Sequence, residues 1–335
     1  MAVDTLSAPF PWQTAIWDSL ITRHRSDSLP HAILLTGLPG LGKSRFARAL
    51  AEALLCESPI AKGQACGQCR SCQQMHADSH PDFKPITPEE GKKQIGVDAC
   101  RQLAGFLAYT SHYGRYRVVV VEPADSMNTA AANSLLKTLE EPPAGGVLIL
   151  VSDHPEGLLP TIRSRCQKLV FAQPELDTAH HWLSQHLPAG QNMDLLLALA
   201  SNAPLEALAL AEGDRLQVRK LMLDDLEQMS KHPATDITVI AKRWSEQELA
   251  EVIHWLQSWF QDMLRLKTSD TPPLLSNPDM QGRLHTLATT LHWEALYTHL
   301  DRLAEMKRRL NGSLNPQMMM EDFLLSWSRA RLTTK

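Results

Sequence analysis

A glycine-rich segment that ends in lysine and serine constrains the fold of this chain more than any other part of its sequence. Residues 37–44 read Gly-Leu-Pro-Gly-Leu-Gly-Lys-Ser, which is the complete phosphate-loop pattern. The apolar run 31–36 precedes the segment and a helical pattern follows it, as such a loop requires. A glycine turn that only begins a helix is the alternative, and the Lys-Ser pair together with both flanks favours the loop. The predicted nucleotide-binding residues are Gly37, Gly40, Gly42, Lys43 and Ser44.

The chemistry of a phosphate loop depends on backbone N–H groups around the phosphates, a lysine that balances their charge and a hydroxyl that ligates Mg²⁺. An enzyme that hydrolyses the nucleotide also ends its next key strand in acidic residues that hold Mg²⁺ and polarise water. Here that strand is followed by Glu122, Pro123 and, two residues later, Asp125. Pro123 offers no base, and Glu122 and Asp125 are either weak metal contacts or solvated loop acids. The sequence therefore predicts nucleotide binding without efficient hydrolysis.

The alternation of helical patterns with short apolar runs over residues 14–170 predicts an α/β domain with a largely parallel sheet. A helix predicted over residues 128–139 is rich in Ala, Asn and Leu, and Pro142 and Pro143 cannot continue it. The predicted strands are residues 31–36, 117–121 and 147–152.

Beyond residue 174 the sequence predicts helices joined by loops, one of which is residues 269–273. The predicted helices are residues 179–187, 193–200, 206–211, 252–266 and 291–310. The tryptophans after residue 215 either anchor an assembly interface or fill the core of this region, and we expect at least half of them to be core residues. They are Trp244, Trp255, Trp259, Trp293 and Trp327.

Charge argues against a protein that binds DNA mainly by itself. The 335 residues carry a formal net charge of −4, whereas such proteins usually have a basic excess that neutralises phosphates. Any nucleic-acid role is therefore shared with partners or confined to a local patch. No apolar run approaches the length of a membrane span, and residues 1–13 lack the pattern of a signal peptide. We expect a cytoplasmic protein.

Four cysteines within residues 56–72 predict a structural zinc site, because Zn²⁺ in such sites takes four ligands at the corners of a tetrahedron. The expected ligands are Cys56, Cys66, Cys69 and Cys72. Gly63 and Gly67 allow the tight turns that bring the sulfurs together, and unmetallated buried thiols are the alternative. Four protein ligands leave no open position for a hydrolytic water. Nearby Arg70, His76 and His80 are interpreted as a polar surface.

The phosphate loop, the cysteine insertion and four further blocks resemble the clamp-loader branch of the AAA+ ATPases, and within it the delta-prime subunits of bacterial DNA polymerase III. The resemblance is dense from about residue 30 to 175 and thins afterwards. The further blocks are His-Pro-Asp at 80–82, Asn-Ser-Leu-Leu-Lys-Thr-Leu-Glu-Glu-Pro-Pro at 133–143, Thr-Ile-Arg-Ser-Arg-Cys at 161–166 and Asn-Pro-Gln-Met-Met-Met-Glu-Asp-Phe-Leu-Leu at 315–325.

The resemblance implies three domains and a set of partners. Residues 1–170 would form an AAA+ nucleotide-binding core with the zinc module inserted, 171–214 a small helical lid, and 215–335 a helical oligomerisation domain in a ring-like collar. The partners would be the gamma/tau ATPase subunits and the delta subunit that opens the sliding clamp, with the clamp and primed DNA contacted through the complex. No membrane is implied.

Residue by residue, the resemblance implies a mixed nucleotide site. Lys43 and Ser44 fall on the phosphate-binding pair, but the acidic pair of active subunits corresponds to Glu122 and Pro123, so its catalytic carboxylate is missing. Asp153 falls where the first polar sensor is usually Thr or Asn, and an acid there would repel phosphate.

The resemblance also implies one site that acts outside this chain. The second sensor, an arginine in the lid of active subunits, aligns with residues 204–206, which read Pro-Leu-Glu. Arg165 falls on the Ser-Arg-Cys arginine, which active neighbours need in trans. This combination predicts an assembly subunit that hydrolyses no ATP itself. The alternatives are an active gamma/tau-type ATPase and, with less support, a small-molecule P-loop kinase.

Overall fold

The computed structural model describes residues 8–188, 190–232, 235–269, 272, 274–310 and 315–332. The chain divides into two compact units, the first ending at Ala179 and the second beginning at His180. The finer division into three domains, with boundaries after residues 170 and 214, stays a prediction. Among the described helices no single one is long and apolar enough to cross a membrane. Met193–Leu199 and Pro204–Ala211 reach that length and composition only as a pair, which is bent by 114°.

The first unit is built on a parallel sheet. Within the described residues its five strands lie in the order β2-β3-β4-β1-β5, and every neighbouring pair runs parallel. This is the predicted α/β core. The strands are β1 (Ala32–Thr36), β2 (Phe83–Ile86), β3 (Arg117–Val121), β4 (Gly146–Ser152) and β5 (Gln167–Val170).

Burial explains which strands the sequence predicts. Every residue of β1, β3 and β4 is buried, and strands buried on both faces read as continuous apolar runs. Strands β2 and β5 lie at the two edges and are largely exposed or half-buried, so sequence analysis missed them. Pro85 in β2 donates no backbone hydrogen bond, which is tolerated at an edge strand.

The helices of the first unit surround this sheet. Asn128 begins the helix predicted over residues 128–139, because its side chain accepts a hydrogen bond of 2.8 Å from the Ala131 N–H. The helices are α1 (Thr14–Arg25), α2 (Lys43–Leu55), α3 (Arg70–His76), α4 (Val97–Ala108), α5 (Thr129–Glu140), α6 (Pro160–Arg163) and α7 (Leu176–Ser184), the last of which contains the unit boundary.

Among its described residues the second unit contains only helices and the loops that join them, as predicted. Residues 270, 271 and 273 of the predicted loop lie outside those that the structure describes. The helices are α8 (Met193–Leu199), α9 (Pro204–Ala211), α10 (Arg215–Lys231), α11 (Ile237–Ser245), α12 (Leu249–Thr268), α13 (Gln281–Thr289), α14 (Trp293–Arg308) and α15 (Pro316–Leu332).

The tryptophans of the second unit mostly fill its own core. Trp244, Trp255, Trp259 and Trp327 are buried in one apolar cluster, which confirms the expectation that at least half are core residues. The idea that they anchor an interface is wrong for these four, because buried indoles cannot reach a partner. Trp293 differs, since 43% of it is exposed.

The burial of β3 generates a stability prediction. Val119→Ala should lower the free energy of unfolding by about 1–3 kcal/mol, because it removes apolar side-chain volume from a fully buried site and leaves a cavity. Val170→Ala in edge strand β5 is the matched control, since 59% of Val170 is exposed. Urea denaturation followed by circular dichroism measures both changes. Equal destabilisation by the two variants would contradict this account of the sheet.

Candidate functional site

The register of the sheet brings three chain segments together at the carboxyl ends of its central strands. Strands β1 and β4 pair in parallel with Thr36 beside Ser152, so the phosphate loop and Asp153 leave the sheet side by side. Strand β3 lies on the other side of β4 and is followed by Glu122. Ligand sites of parallel sheets lie outside the carboxyl ends of the strands. This end of the sheet is therefore the candidate nucleotide site.

The ammonium group of Lys43 is already fully occupied by the protein. Its Nζ lies 2.8 Å from the carbonyl oxygen of Gly37 and 2.6 Å from that of Leu38. Asp153 Oδ1 lies 2.5 Å from the same atom, and the lysine side chain is only 3% exposed. An ammonium has three N–H groups, and these contacts use all three. An incoming phosphate must therefore displace an internal acceptor and meet the negative charge of Asp153.

The hydroxyl and carboxylate groups beside this lysine also have internal partners. The Ser44 hydroxyl donates a hydrogen bond to Glu122. The Ser152 hydroxyl donates to Asp125 Oδ1 over 2.6 Å. Both acids are half-buried, so neither is the freely solvated loop acid that the sequence left open. Ser44 and Glu122 are the pair that would face a nucleotide-bound Mg²⁺.

The phosphate loop is supported by a segment that sequence analysis did not connect with it. Gln13 Nε2 donates to the carbonyl oxygens of Leu41 (2.8 Å) and Gly42 (3.1 Å), and Trp12 Nε1 donates to that of Leu41 over 3.0 Å. The Phe10 ring occupies the space in which a side chain at position 42 would begin, 2.5 Å from an ideal Cβ. Gly42 also has a φ of +81°, so packing and backbone conformation both require glycine there.

The four predicted zinc ligands converge. Their sulfur atoms all lie within 4.8 Å of one another, and two Sγ–Sγ distances, Cys56 to Cys69 and Cys66 to Cys72, are 3.9 Å. Tetrahedral Zn²⁺ with Zn–S bonds of about 2.3 Å separates its sulfurs by about 3.8 Å. The cluster is therefore compatible with a structural zinc ion.

Backbone N–H groups around the cluster favour thiolates. The Cys66 Sγ accepts from the N–H groups of Cys69 (3.3 Å) and Gln68 (3.5 Å), which lower the pKa of this thiol to about 6. Burial acts in the other direction and raises the pKa of Cys56 and of Cys72. Adjacent thiolates repel one another unless a cation lies between them, so this environment suits four thiolates only with a metal.

His80 is part of the support for this cluster and not of a polar surface, which corrects the sequence interpretation. It is buried, with Nδ1 accepting from the Asp82 N–H (3.0 Å) and Nε2 lying 2.8 Å from Ser71 Oγ. Because Ser71 Oγ donates to the Leu55 carbonyl oxygen over 2.7 Å, the proton of His80 is on Nε2. Burial lowers the pKa of His80 and keeps this neutral form. The residue links the cysteine insertion to the core.

Arg165 lies at the opposite end of the strands from the phosphate loop. Strand β5 pairs with β1 in parallel, with Gln167 beside Ile33 and Val170 beside Thr36. Arg165 precedes β5 and therefore lies at the amino ends of the strands. The loop that follows Thr36 is a strand length away, about 10 Å or more. It is part-exposed at 36% and cannot serve the nucleotide site of its own chain.

Loss of one thiolate should remove the metal. Cys69→Ser should reduce bound zinc from about one equivalent to a small fraction of it, because structural Zn²⁺ needs four ligands and couples to local folding. Cys166→Ser is the control, since Cys166 lies outside the cluster. Elemental analysis of both purified proteins decides the matter. Undiminished zinc in the Cys69 variant would show that the ligand set is wrong.

Comparison with known proteins identifies a family over nearly the whole chain. The family described as "DNA polymerase III, delta subunit" matches residues 12–175, and the one described as "DNA polymerase III, delta subunit, C terminal" matches residues 213–329. The "DNA polymerase III subunit delta'" of Pseudomonas aeruginosa is 35% identical over 324 residues, covering 95% of this chain and 97% of that protein.

Further relatives separate two subunit types. The "DNA polymerase III subunit delta'" of Escherichia coli is 34% identical over 321 residues, covering 94% of each chain. The "DNA polymerase III subunit gamma/tau" of Mycobacterium tuberculosis is 39% identical, but over only 142 residues, which are 42% of this chain and 24% of that protein. The full-length match is thus to the delta-prime type, and the chain belongs to the family of delta-prime subunits of DNA polymerase III.

Proposed function

We propose that this chain is a cytoplasmic, non-hydrolysing subunit of the DNA polymerase III clamp loader that helps to load the sliding clamp onto primed DNA at the expense of ATP. Its partners are the gamma/tau and delta subunits. The observation that carries the proposal is the position of Arg165. A part-exposed guanidinium at the amino ends of the strands, away from the chain's own phosphate loop, suits action on ATP that a neighbouring subunit binds.

The chain's own nucleotide site supports binding that is weak at most. Lys43 and Ser44 are the proposed contacts to phosphate and Mg²⁺, but Asp153 and Glu122 already occupy them. Hydrolysis needs charge-stabilising and water-positioning groups around the γ-phosphate. Pro123 stands in place of one such carboxylate, so we propose negligible turnover.

An active gamma/tau-type ATPase is the second candidate, because the phosphate-loop motif is complete. The neutralised ammonium of Lys43 argues against it, as does the short match to gamma/tau. Residues 215–335 are proposed as the collar domain that holds the subunit in the ring, with the zinc module as a structural part of the AAA+ core.

Removal of the Asp153 charge should strengthen nucleotide binding. Asp153→Asn should raise the affinity for Mg·ATP by about tenfold, or about 1.4 kcal/mol. This lies between the Coulomb energies of two unit charges about 4 Å apart in bulk water, about 1 kcal/mol, and near a protein surface, about 4 kcal/mol. Asp177→Asn removes an exposed charge from α7 of the same chain and should change nothing. Fluorescence titration with a labelled ATP analogue measures the affinity. Equal affinity of wild type and Asp153→Asn would refute the proposed block.

Loss of Arg165 should slow the partner subunits and leave this chain folded. A trans-acting arginine contributes roughly 10³–10⁵ in rate at the site it serves, so Arg165→Ala should lower ATP turnover of the reconstituted loader partially, because its other sites keep their own arginines. Lysine should not replace it, since an ammonium lacks the planar fork. Arg163→Ala, two residues away and also exposed, is the control. Unchanged turnover and clamp loading with Arg165→Ala would exclude the trans role.

A further inference from the structure

Arg165 is held by two acceptors from different segments of the first unit. Its Nη2 donates to Glu140 Oε1 over 2.6 Å, and its Nη1 donates to the Thr161 carbonyl oxygen over 3.1 Å. A guanidinium has five N–H groups, and these two contacts leave three of them for a further ligand. The arginine is therefore oriented without being saturated, in contrast to Lys43.

An acid at the position of Glu140 needs an explanation. Glu140 is the last residue of α5, where the negative end of the helix dipole disfavours a carboxylate. Its side chain is 51% exposed, so burial does not account for it. The ion pair with Arg165 offsets that repulsion, and it is the one ion pair that Glu140 makes with the described residues.

The backbones that carry the two side chains are fixed by the core. Leu139 and Ile162 are buried in the same apolar cluster, and Cys166 packs against it. His31 Nε2 also donates to the Leu139 carbonyl oxygen over 3.2 Å. The pair therefore projects from two anchored segments, and the distance between the two backbones has little freedom to change.

We infer that Glu140 is a positioning residue that aligns the Arg165 guanidinium for ATP on the neighbouring subunit. The inference rests on the proposed trans role of Arg165. A free arginine side chain on a surface samples many rotamers, and fixing it in advance removes that entropic cost when the phosphate must be met. Glu140 touches no substrate itself and acts through the arginine.

The test uses the clamp loader reconstituted with its gamma/tau and delta subunits, sliding clamp and primed DNA. Glu140→Ala should lower the rate at the site that Arg165 serves about two- to fivefold, the range expected for loss of an exposed ion pair. The kcat of the whole loader should therefore fall by less than it does with Arg165→Ala, with KM for ATP unchanged. Glu140→Gln should retain most of the rate, because its amide oxygen still accepts from Nη2. The double variant with Arg165→Ala should turn over at the same rate as Arg165→Ala alone.

Glu141 supplies the matched control. It is the next residue, it is exposed, and its side chain makes no hydrogen bond or ion pair with the described part of the chain. Glu141→Ala should leave kcat unchanged, and thermal unfolding and gel filtration should show that all variants fold and assemble alike.

The outcomes separate the inference from the function on which it rests. A normal or raised kcat with Glu140→Ala, while Arg165→Ala is slow, overturns the positioning role and leaves the trans arginine in place. An equal loss with Glu140→Gln and Glu140→Ala also overturns it, because the retained acceptor should rescue. If Arg165→Ala itself has no effect, both the trans role and the positioning role are wrong.

Discussion

The parallel ladder between β1 and β4 determines where the chemistry of this chain can lie. Its register pairs Thr36 with Ser152. The phosphate loop and Asp153 follow these residues, so they leave the sheet together at the carboxyl ends of the strands. The ladder on the other side of β1, which pairs it with β5, places Arg165 at the amino ends of the strands. The two ladders of β1 therefore separate the candidate nucleotide site, at the carboxyl ends of the strands, from Arg165, at their amino ends, from which we propose that it acts on another subunit.

The cations at the two ends of the strands differ in burial and in how many of their N–H groups are already used. Lys43 is buried and all of its N–H groups meet internal acceptors, one of them charged. Arg165 is part-exposed and keeps three N–H groups beyond those given to Glu140 and Thr161. Each cation is paired with one carboxylate, so the difference lies in burial and in the donors that remain. The ammonium must give up an internal acceptor to meet phosphate, whereas the guanidinium still has N–H groups to offer. This contrast is the physical basis of the proposed role, in which the subunit lends an arginine to a neighbour and hydrolyses no ATP itself.

Local patterns predicted much of the fold and of the site, and tertiary contacts account for what they missed. The continuous apolar runs predicted the three buried strands, and the cysteine spacing predicted a cluster of four sulfurs that is compatible with zinc. Strand β2 was missed because Pro85 and its edge position remove the usual signal. The contacts made by Gln13, His80, Asp153 and Glu140 join residues far apart in the chain or depend on burial. No spacing in the sequence reports such contacts.

The steady-state ATPase rate of the isolated chain at saturating Mg·ATP tests the central claim most directly, with Lys43→Ala as the reference. The account predicts that the two proteins have the same rate, indistinguishable from background, because the lysine is committed to Asp153 and the carbonyl groups of its own loop. A rate comparable to that of an active loader subunit, abolished by Lys43→Ala, would contradict it.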